Sequence, residues 1–330
     1  MTAPRNIDEE PIRVGVLGIG DHASRTVVPA LRSSPATVLQ AVATRDPEVR
    51  AATAAEHGCA AYADLDAMLA DGDVEAVFVC TPIGRHHDDG RTVLEAGRHL
   101  WCEKAFTETH DQAAALGALA AGRDRALCVS CPPLYHGQFA VMAGLIADGR
   151  VGAVRAITAR FGFPHLEPSD QRYAAAGGGA LLDAGFYTAI VPQALLGQPL
   201  EVIGAALTND AGYAVDTSGS ALLRSPDGVT VNAEWGYGRD YVNELVVWGE
   251  TGSVTAAPAY SKPAHLDARL ILRRQNRDEV VEVPAGNQFE AMVARFAEAV
   301  ADPDARSRFR AQATDQQALL DAVRAAAERR

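Results

Sequence analysis

The stretch that most limits what this chain can fold into is Val14–Ala23, which reads VGVLGIGDHA. Alternating apolar positions Ile12, Val14 and Val16 run straight into Gly18-Ile19-Gly20, and a helical pattern opens behind them. The order is strand, tight glycine turn, helix N-terminus. Gly18 takes the backbone angles the turn needs, and Gly20, without a Cβ, lets a pyrophosphate approach the main chain. The N–H groups and positive dipole end of the next helix then face that phosphate. Gly18, Ile19, Gly20, Asp21, His22 and Ala23 are therefore candidate cofactor-binding residues, Ala23 being small enough for close helix–strand packing. Glycine turns of this kind also arise for folding reasons alone, so the rest of the chain has to decide.

Behind the turn the pattern alternates. A helix is expected over 25–33, with Pro29 near its start or at a kink. A strand is expected over 37–44, a helix over 47–57 stopped by Gly58, a strand over 60–63 and a short helix over 65–69. The apolar run VEAVFVC (74–80) is the kind that a central strand buried on both faces shows. A helix over 86–96, a strand over 99–102, a helix over 111–121 and a strand over 126–130 complete the series. Strands alternating with helices mean βαβ units and a doubly wound parallel sheet. Beyond residue 130 the pattern changes. A helix (139–148), a long strand (153–163) and a helix after Gly177-Gly178-Gly179 lead into successive strands at 201–207, 217–223, 230–237, 243–248, 253–256 and 270–274. Two helices close the chain, 288–300 and 314–328. Strands without crossover helices imply a mostly antiparallel sheet. The fold class is α/β: a Rossmann dinucleotide-binding domain over 1–130 and an α+β domain with an open-faced sheet over 131–330, its final helix free to pack back on the first.

Composition narrows the partners. At 330 residues the chain is long enough for two cores, and its net charge of −12 argues against nucleic acid or an anionic membrane as partner. No apolar run reaches the roughly 18 residues of a membrane span, and the polar, acidic start MTAPRNIDEEPIR is not a signal-peptide pattern. Five scattered cysteines read as thiols in a reducing cytoplasm. No metal is expected. Cys128-Val-Ser-Cys131 has no second pair, and neighbours in His86-His87-Asp88-Asp89 point about 100° apart on a helix, so they do not converge on one ion.

Four stretches line up with one family. Thr81-Pro82 with His86 match a TPxxxH turn, and Glu103-Lys104 end a later strand as in an EKP motif. GGGALLDAGFY (177–187) matches a GGGxLxDxGxH/Y stretch, and the glycine turn is the fourth. Together they resemble the glucose–fructose oxidoreductase / inositol dehydrogenase (Gfo/Idh/MocA) family over nearly the whole chain. The resemblance implies that Thr81, Pro82, His86, Glu103 and Lys104 border the cofactor, His86 beside the nicotinamide turn. It also implies that Lys104, Asp183 and Tyr187 carry the chemistry. Local physics agrees in part: Lys104 follows a strand at the carboxyl edge of the sheet, where open α/β sheets bind ligands. Asp183 and Tyr187 share a face if their segment is helical. Taken without the motif, Lys104 reads as a surface lysine and Tyr187 as a core aromatic. Two departures stand out. Ala105 replaces the proline of EKP, removing the rigid turn it would impose, and Pro192 should end or kink the helix carrying Tyr187.

The cofactor's adenosine ribose meets the end of the second strand in this fold. An acid there repels a 2′-phosphate and an arginine attracts it. Thr44 and Arg45 fall at that point, with Asp46 opening the next helix, so NADP(H) is favoured over NAD(H). Phe163-Pro164, Asp170–Tyr173 and the run 241–252 bring the chain nearest, within the family, to NDP-hexose 3-ketoreductases of deoxysugar biosynthesis. Arg172 then becomes a candidate diphosphate or hydroxyl contact, against an equal reading as an ion pair to Asp170 or elsewhere, and Tyr241 and Asn243 candidate pocket walls. The expected reaction is reduction of a sugar ketone. Tyr187 gives the proton, Lys104 stabilises the charge and lowers the tyrosine pKa, and Asp183 orients the sugar or Lys104. The alternatives are an NADP-dependent dehydrogenase of free sugars or trans-dihydrodiols, a nicotinamide-dependent glycoside hydrolase and a non-catalytic binding protein. The open sheet face is expected to form a homodimer or homotetramer.

Overall fold

The computed structural model describes residues 10–210, 212–262, 266 and 268–329. They divide into two compact units, one running to Ser130 and including Phe289–Gln317, the other Cys131–Gln288 with the residues from Ala318 onward.

The first unit is built on six parallel strands: β1 (Ile12–Leu17), β2 (Thr37–Ala43), β3 (Ala60–Tyr62), β4 (Ala76–Val79), β5 (His99–Cys102) and β6 (Leu127–Val129). Their order is β3-β2-β1-β4-β5-β6, so the chain reverses its direction of winding between β1 and β4. That reversal opens a crevice at the strands' carboxyl ends, and Gly18 and Thr81 stand at its two sides. Strands β4 and β5 are buried at every residue, as covering on both faces requires. The helices are started by their own side chains. Asp46 accepts from the Glu48 and Val49 amides to open α2 (Pro47–His57), which Gly58 ends with a positive φ of 65°. Thr109 and Gln112 form a reciprocal capping box at α5 (His110–Gly122).

The helix behind the glycine turn differs from expectation. It begins at Asp21, winds as a wide π-type turn over Ala23–Val27 and continues as α1 (Val28–Ser33). Pro29 has no amide to offer the Arg25 carbonyl four residues back, so it sits where the wide turn gives way to regular helix. Between β3 and β4 lies α3 (Leu65–Asp71). Helix α4 (Ile83–Glu95) begins three residues earlier than expected, directly after Pro82.

The second unit carries α6 (Gly137–Ala147) and α7 (Phe186–Leu196), with an eight-stranded sheet. Its strands are β7 (Val154–Phe163), β8 (Glu201–Thr208), β9 (Ser218–Arg224), β10 (Thr230–Tyr237), β11 (Val242–Gly249), β12 (Ser253–Ala256), β13 (Arg269–Arg274) and β14 (Arg277–Glu282). The order is β14-β13-β12-β11-β7-β10-β9-β8, and every pairing is antiparallel except β7 with β10. Helix α7 runs on through Pro192 for another four residues and stops at Gly197, whose φ is 63°. Proline neither ends it nor starts a loop. Strand β14 was not expected, because RDEVVE is charged and its residues are almost all exposed; a hairpin through Gln275 and Asn276, both at positive φ, pins it to β13. Helices α8 (Gln288–Ala301) and α9 (Pro303–Glu328) close the chain. Asp302 caps α9 through the Asp304 amide, so this helix starts eleven residues before the expected one.

Candidate active site

In the first unit, main chain sets the site. Gly18 has φ 87°, and a Cβ there would lie 3.0 Å from the Cys80 carbonyl, so the turn tolerates only glycine. A Cβ on Gly20 would meet nothing within 4 Å, which leaves the open approach a phosphate needs. Ala23 is buried, as close packing demands, and Ile19 nearly so, while Asp21 is exposed beside Arg25. The cradle fits a dinucleotide. At the end of β2, Arg45 is exposed and no carboxylate among the described residues pairs with it, whereas Asp46 is spent on capping. A 2′-phosphate would find a cation there, with the neighbouring Asp46 carboxylate engaged by the first amides of α2.

Three further turns are tied together. Glu103 reaches His22 Nε2 at 3.3 Å and accepts from the Lys104 amide at 3.2 Å. Burial alone would raise its pKa, but the His22 hydrogen bond and charge, with Lys104, bring it below the ordinary value. The Lys104–Ala105 peptide is cis, and Ala105 is fully buried. Thr81 Oγ1 donates to Asp89 at 2.7 Å, and Arg85 pairs with the same carboxylate at 2.8 Å, which holds the Thr81-Pro82 turn against α4.

His86 lies behind two of these turns. Its ring is fully buried; Nε2 lies 2.7 Å from the Thr81 carbonyl and Nδ1 2.9 Å from the Ala105 carbonyl. Burial lowers its pKa, while the Thr81 and Ala105 carbonyls, which accept from ring N–H groups, act against that shift. His86 does not present a ring nitrogen to a cofactor. It links the Thr-Pro turn to the turn after Lys104, and sequence alone does not reveal that a helical histidine points inward. Among the described residues no cluster of three or more His, Cys, Asp or Glu could hold a metal ion.

In the second unit, side chains set the site. The triple glycine runs into a wide turn over Leu181–Gly185 and then α7. Gly179 has φ 109°, and a Cβ there would strike Asp216 at 2.3 Å. Asp216 accepts from the Leu181 amide at 2.7 Å and so anchors the start of this segment. No motif marks Asp216; only the fold brings β8–β9 loop and glycine turn together. Asp183 accepts from Tyr237 Oη at 3.3 Å and pairs with Arg172 Nε at 3.2 Å. Burial first, and then the Asp183 charge, push the Tyr237 pKa far up, so its phenol stays a donor. Tyr187 stands in an aromatic wall: Phe161 at 5.8 Å, Phe186 at 5.5 Å and a stacked Tyr260 at 6.0 Å.

Two substrate expectations change. Arg172 pairs with Asp170 at 3.1 Å as well as with Asp183, so its charge is met by two carboxylates. That is the ion-pair reading, and a diphosphate would have to compete with both. Tyr241 is exposed with its hydroxyl on Asn243, whose own amide is buried and pins the loop at Ala259, Tyr260 and Ser261. Asn243 is a pin, not a pocket wall. A cleft of about 340 Å³ lies against β7–β11. Its Arg160 and Glu234 alternate along their strands with the inward Phe161 and Trp235, so it opens on the sheet's other face.

Family models match on both sides of residue 138. An oxidoreductase family model with an NAD-binding Rossmann fold covers residues 12–137, and a GFO/IDH/MocA C-terminal domain model covers 139–255. A dTDP-3,4-didehydro-2,6-dideoxy-α-D-glucose 3-reductase of Streptomyces violaceoruber is 38% identical over 96% of this chain and 95% of its own. A D-xylose 1-dehydrogenase (NADP(+)) of Haloferax volcanii is 27% identical over 95% and 97%. Among solved structures, a 3-ketoreductase from Actinomadura kijaniata in complex with NADP and TDP-benzene superposes with a TM-score of 0.91 at 33% identity, covering 96% of this chain and 98% of that one. That ketoreductase has also been crystallised as lysine-to-alanine and tyrosine-to-phenylalanine variants. This chain belongs to the GFO/IDH/MocA oxidoreductase family. It is an NAD(P)-dependent oxidoreductase of Rossmann plus antiparallel-sheet architecture.

Proposed function

We propose that the protein is an NADPH-dependent ketoreductase acting on an NDP-3-keto-deoxyhexose in deoxysugar biosynthesis. The observation that carries this is the near-full-length likeness, at 38% identity, to a reductase of a dTDP-linked keto sugar. The free-sugar dehydrogenase is the more distant relative. The first unit binds the cofactor through Gly18, Ile19, Gly20, Asp21, His22, Thr44, Arg45, Thr81, Pro82, Glu103 and Lys104. The second binds the sugar.

When bound, reduced nicotinamide supplies the hydride that the carbonyl carbon receives. Tyr187 gives its phenolic proton to the carbonyl oxygen, so ketone, hydride and proton become the secondary alcohol. Lys104 stabilises the developing alkoxide. Asp183, fixed by Arg172 and Tyr237, accepts from a neighbouring sugar hydroxyl and sets the ring's orientation. His86 is a positioning residue for the two turns it joins.

Two coarser proposals accompany this. Trp248 is 66% exposed, and Leu222 and Val280 are also open on the sheet face away from α7, which supports a homodimer or homotetramer formed there. That none of the five cysteines is in a disulfide supports a reducing cytoplasm.

The test is NADPH and NADH oxidation with a dTDP-3-keto-deoxysugar in one cuvette and free ketoses in another. Turnover of NADPH with the nucleotide sugar alone is expected. Turnover with free sugars alone would move the protein to the dehydrogenase branch.

A further inference from the structure

Of the thirty Lys and Arg residues, only two are lysines, Lys104 and Lys262. Arginine holds its charge at any physiological pH, whereas lysine is a compact ammonium whose pKa moves on burial. Lys104 already has a proposed role. Lys262 is only 7% exposed, and its ammonium donates to the Ala259 carbonyl at 2.8 Å. Among the described residues no carboxylate pairs with it. An ammonium has three N–H donors, and a buried cation without a counter-ion is costly.

The position is held firmly. Asn243 Oδ1 accepts from the Ala259 and Tyr260 amides, both at 2.8 Å, and its Nδ2 donates to the Ser261 carbonyl at 3.0 Å. Tyr260 Oη donates to the Glu244 carbonyl at 3.1 Å, while its ring stacks on Tyr187. The segment that carries Lys262 is thus packed against the proposed proton donor. Within reach of its charge is His136, the N-cap of α6, buried, with Nδ1 accepting from the Gln138 amide at 3.0 Å. Burial first, and then the Lys262 charge, bring the His136 pKa down to about 4, so this ring is neutral and no counter-ion.

We propose that Lys262 is a substrate-specificity residue whose counter-ion is the diphosphate of the nucleotide sugar. The inference rests on the nucleotide-sugar reading above and adds the group that recognises the nucleotide end of that substrate class, since Arg172 is already paired with Asp170 and Asp183. Its chemistry is charge pairing alone, with no bond made or broken at Lys262.

Two measurements test it. The intact protein labelled with ¹⁵N-lysine gives two side-chain ammonium signals, assigned by the Lys262→Met variant. Saturating dTDP is expected to move the Lys262 signal and raise its pKa from about 8. In Lys262→Met, dTDP affinity should fall, and KM for the dTDP-keto sugar rise, by about tenfold or more, with kcat and NADPH affinity within about twofold. A Lys262 signal that ignores bound dTDP overturns the inference, and it does so without any variant having to fold. A fall in kcat at unchanged dTDP affinity also overturns it, since Lys262 would then move protons. If the parent protein itself neither binds dTDP nor reduces the nucleotide sugar, the nucleotide-sugar reading falls with it.

Discussion

The two units present functional groups in opposite ways. In the first, carbonyls and amides of tight turns form the site, and buried side chains such as His86 and Asp89 hold those turns from behind. In the second, charged side chains form the site and other side chains hold them: Arg172 and Tyr237 on Asp183, Asn243 on the loop of Lys262. A cofactor common to many enzymes can be met by backbone that hardly depends on sequence. A particular substrate needs charges placed one by one, so on the proposed function the second unit is where specificity is expected.

The largest effect should come from the reacting groups. Tyr187→Phe keeps the ring that stacks on Tyr260, and Lys104→Met keeps most of the lysine stem while removing the ammonium, so both should fold normally. Each is expected to lower kcat by about 10²–10⁴-fold, the range general acid–base groups supply. Steady-state kinetics alongside a thermal melt checks this. Full turnover in Tyr187→Phe would mean that the proton comes from elsewhere.

Next comes a change confined to the first unit. Arg45→Ala should raise KM for NADPH by about tenfold or more and leave NADH nearly untouched, because only the phosphate contact is lost. Equal effects on the two cofactors would show that Arg45 does not meet the 2′-phosphate.

The contrast between the units also explains what could be read from sequence. The parallel sheet, the glycine turn and the cap at Asp46 were legible because each depends on local pattern: alternation, a positive φ, a carboxylate one residue before a proline. Strand β14 was not, since an exposed edge strand carries no hydrophobic signal. The start of α9 was hidden in the same way, behind the charged PDARSRFR. In the site, Lys104, Asp183 and Tyr187 stood in motifs. Asp216, Tyr237 and Lys262 did not, for their meaning comes from partners far along the chain. His86 was visible as a residue but its inward direction was not.

Arg172 offers a finer test of how the second unit works. If it positions Asp183, Arg172→Met should lower kcat/KM for the keto sugar by about five- to tenfold and leave dTDP affinity within about twofold. Paired with Lys262→Met, which should do the reverse, it separates orientation of the sugar from capture of the diphosphate. A loss of dTDP affinity in Arg172→Met would return the diphosphate contact to Arg172.

The smallest expected effect is on stability, and it comes from the same corner of the second unit. His136 has its pKa lowered to about 4 in the folded protein, first by burial and then by Lys262, against an ordinary value near 6.5. As pH falls below about 6.5 the unfolded chain takes up this proton before the folded one does, so stability is lost progressively down to about pH 4 and the loss then levels off. Buried His86 in the first unit shifts in the same direction, so both units weaken with acid. His136→Asn keeps an N-cap while removing the titrating ring. Melting temperatures measured from pH 7 to 4 should therefore fall less steeply in that variant than in the parent. An unchanged slope would mean that His136 titrates like an exposed histidine, and that the ground beside Lys262 is wetter than its burial implies.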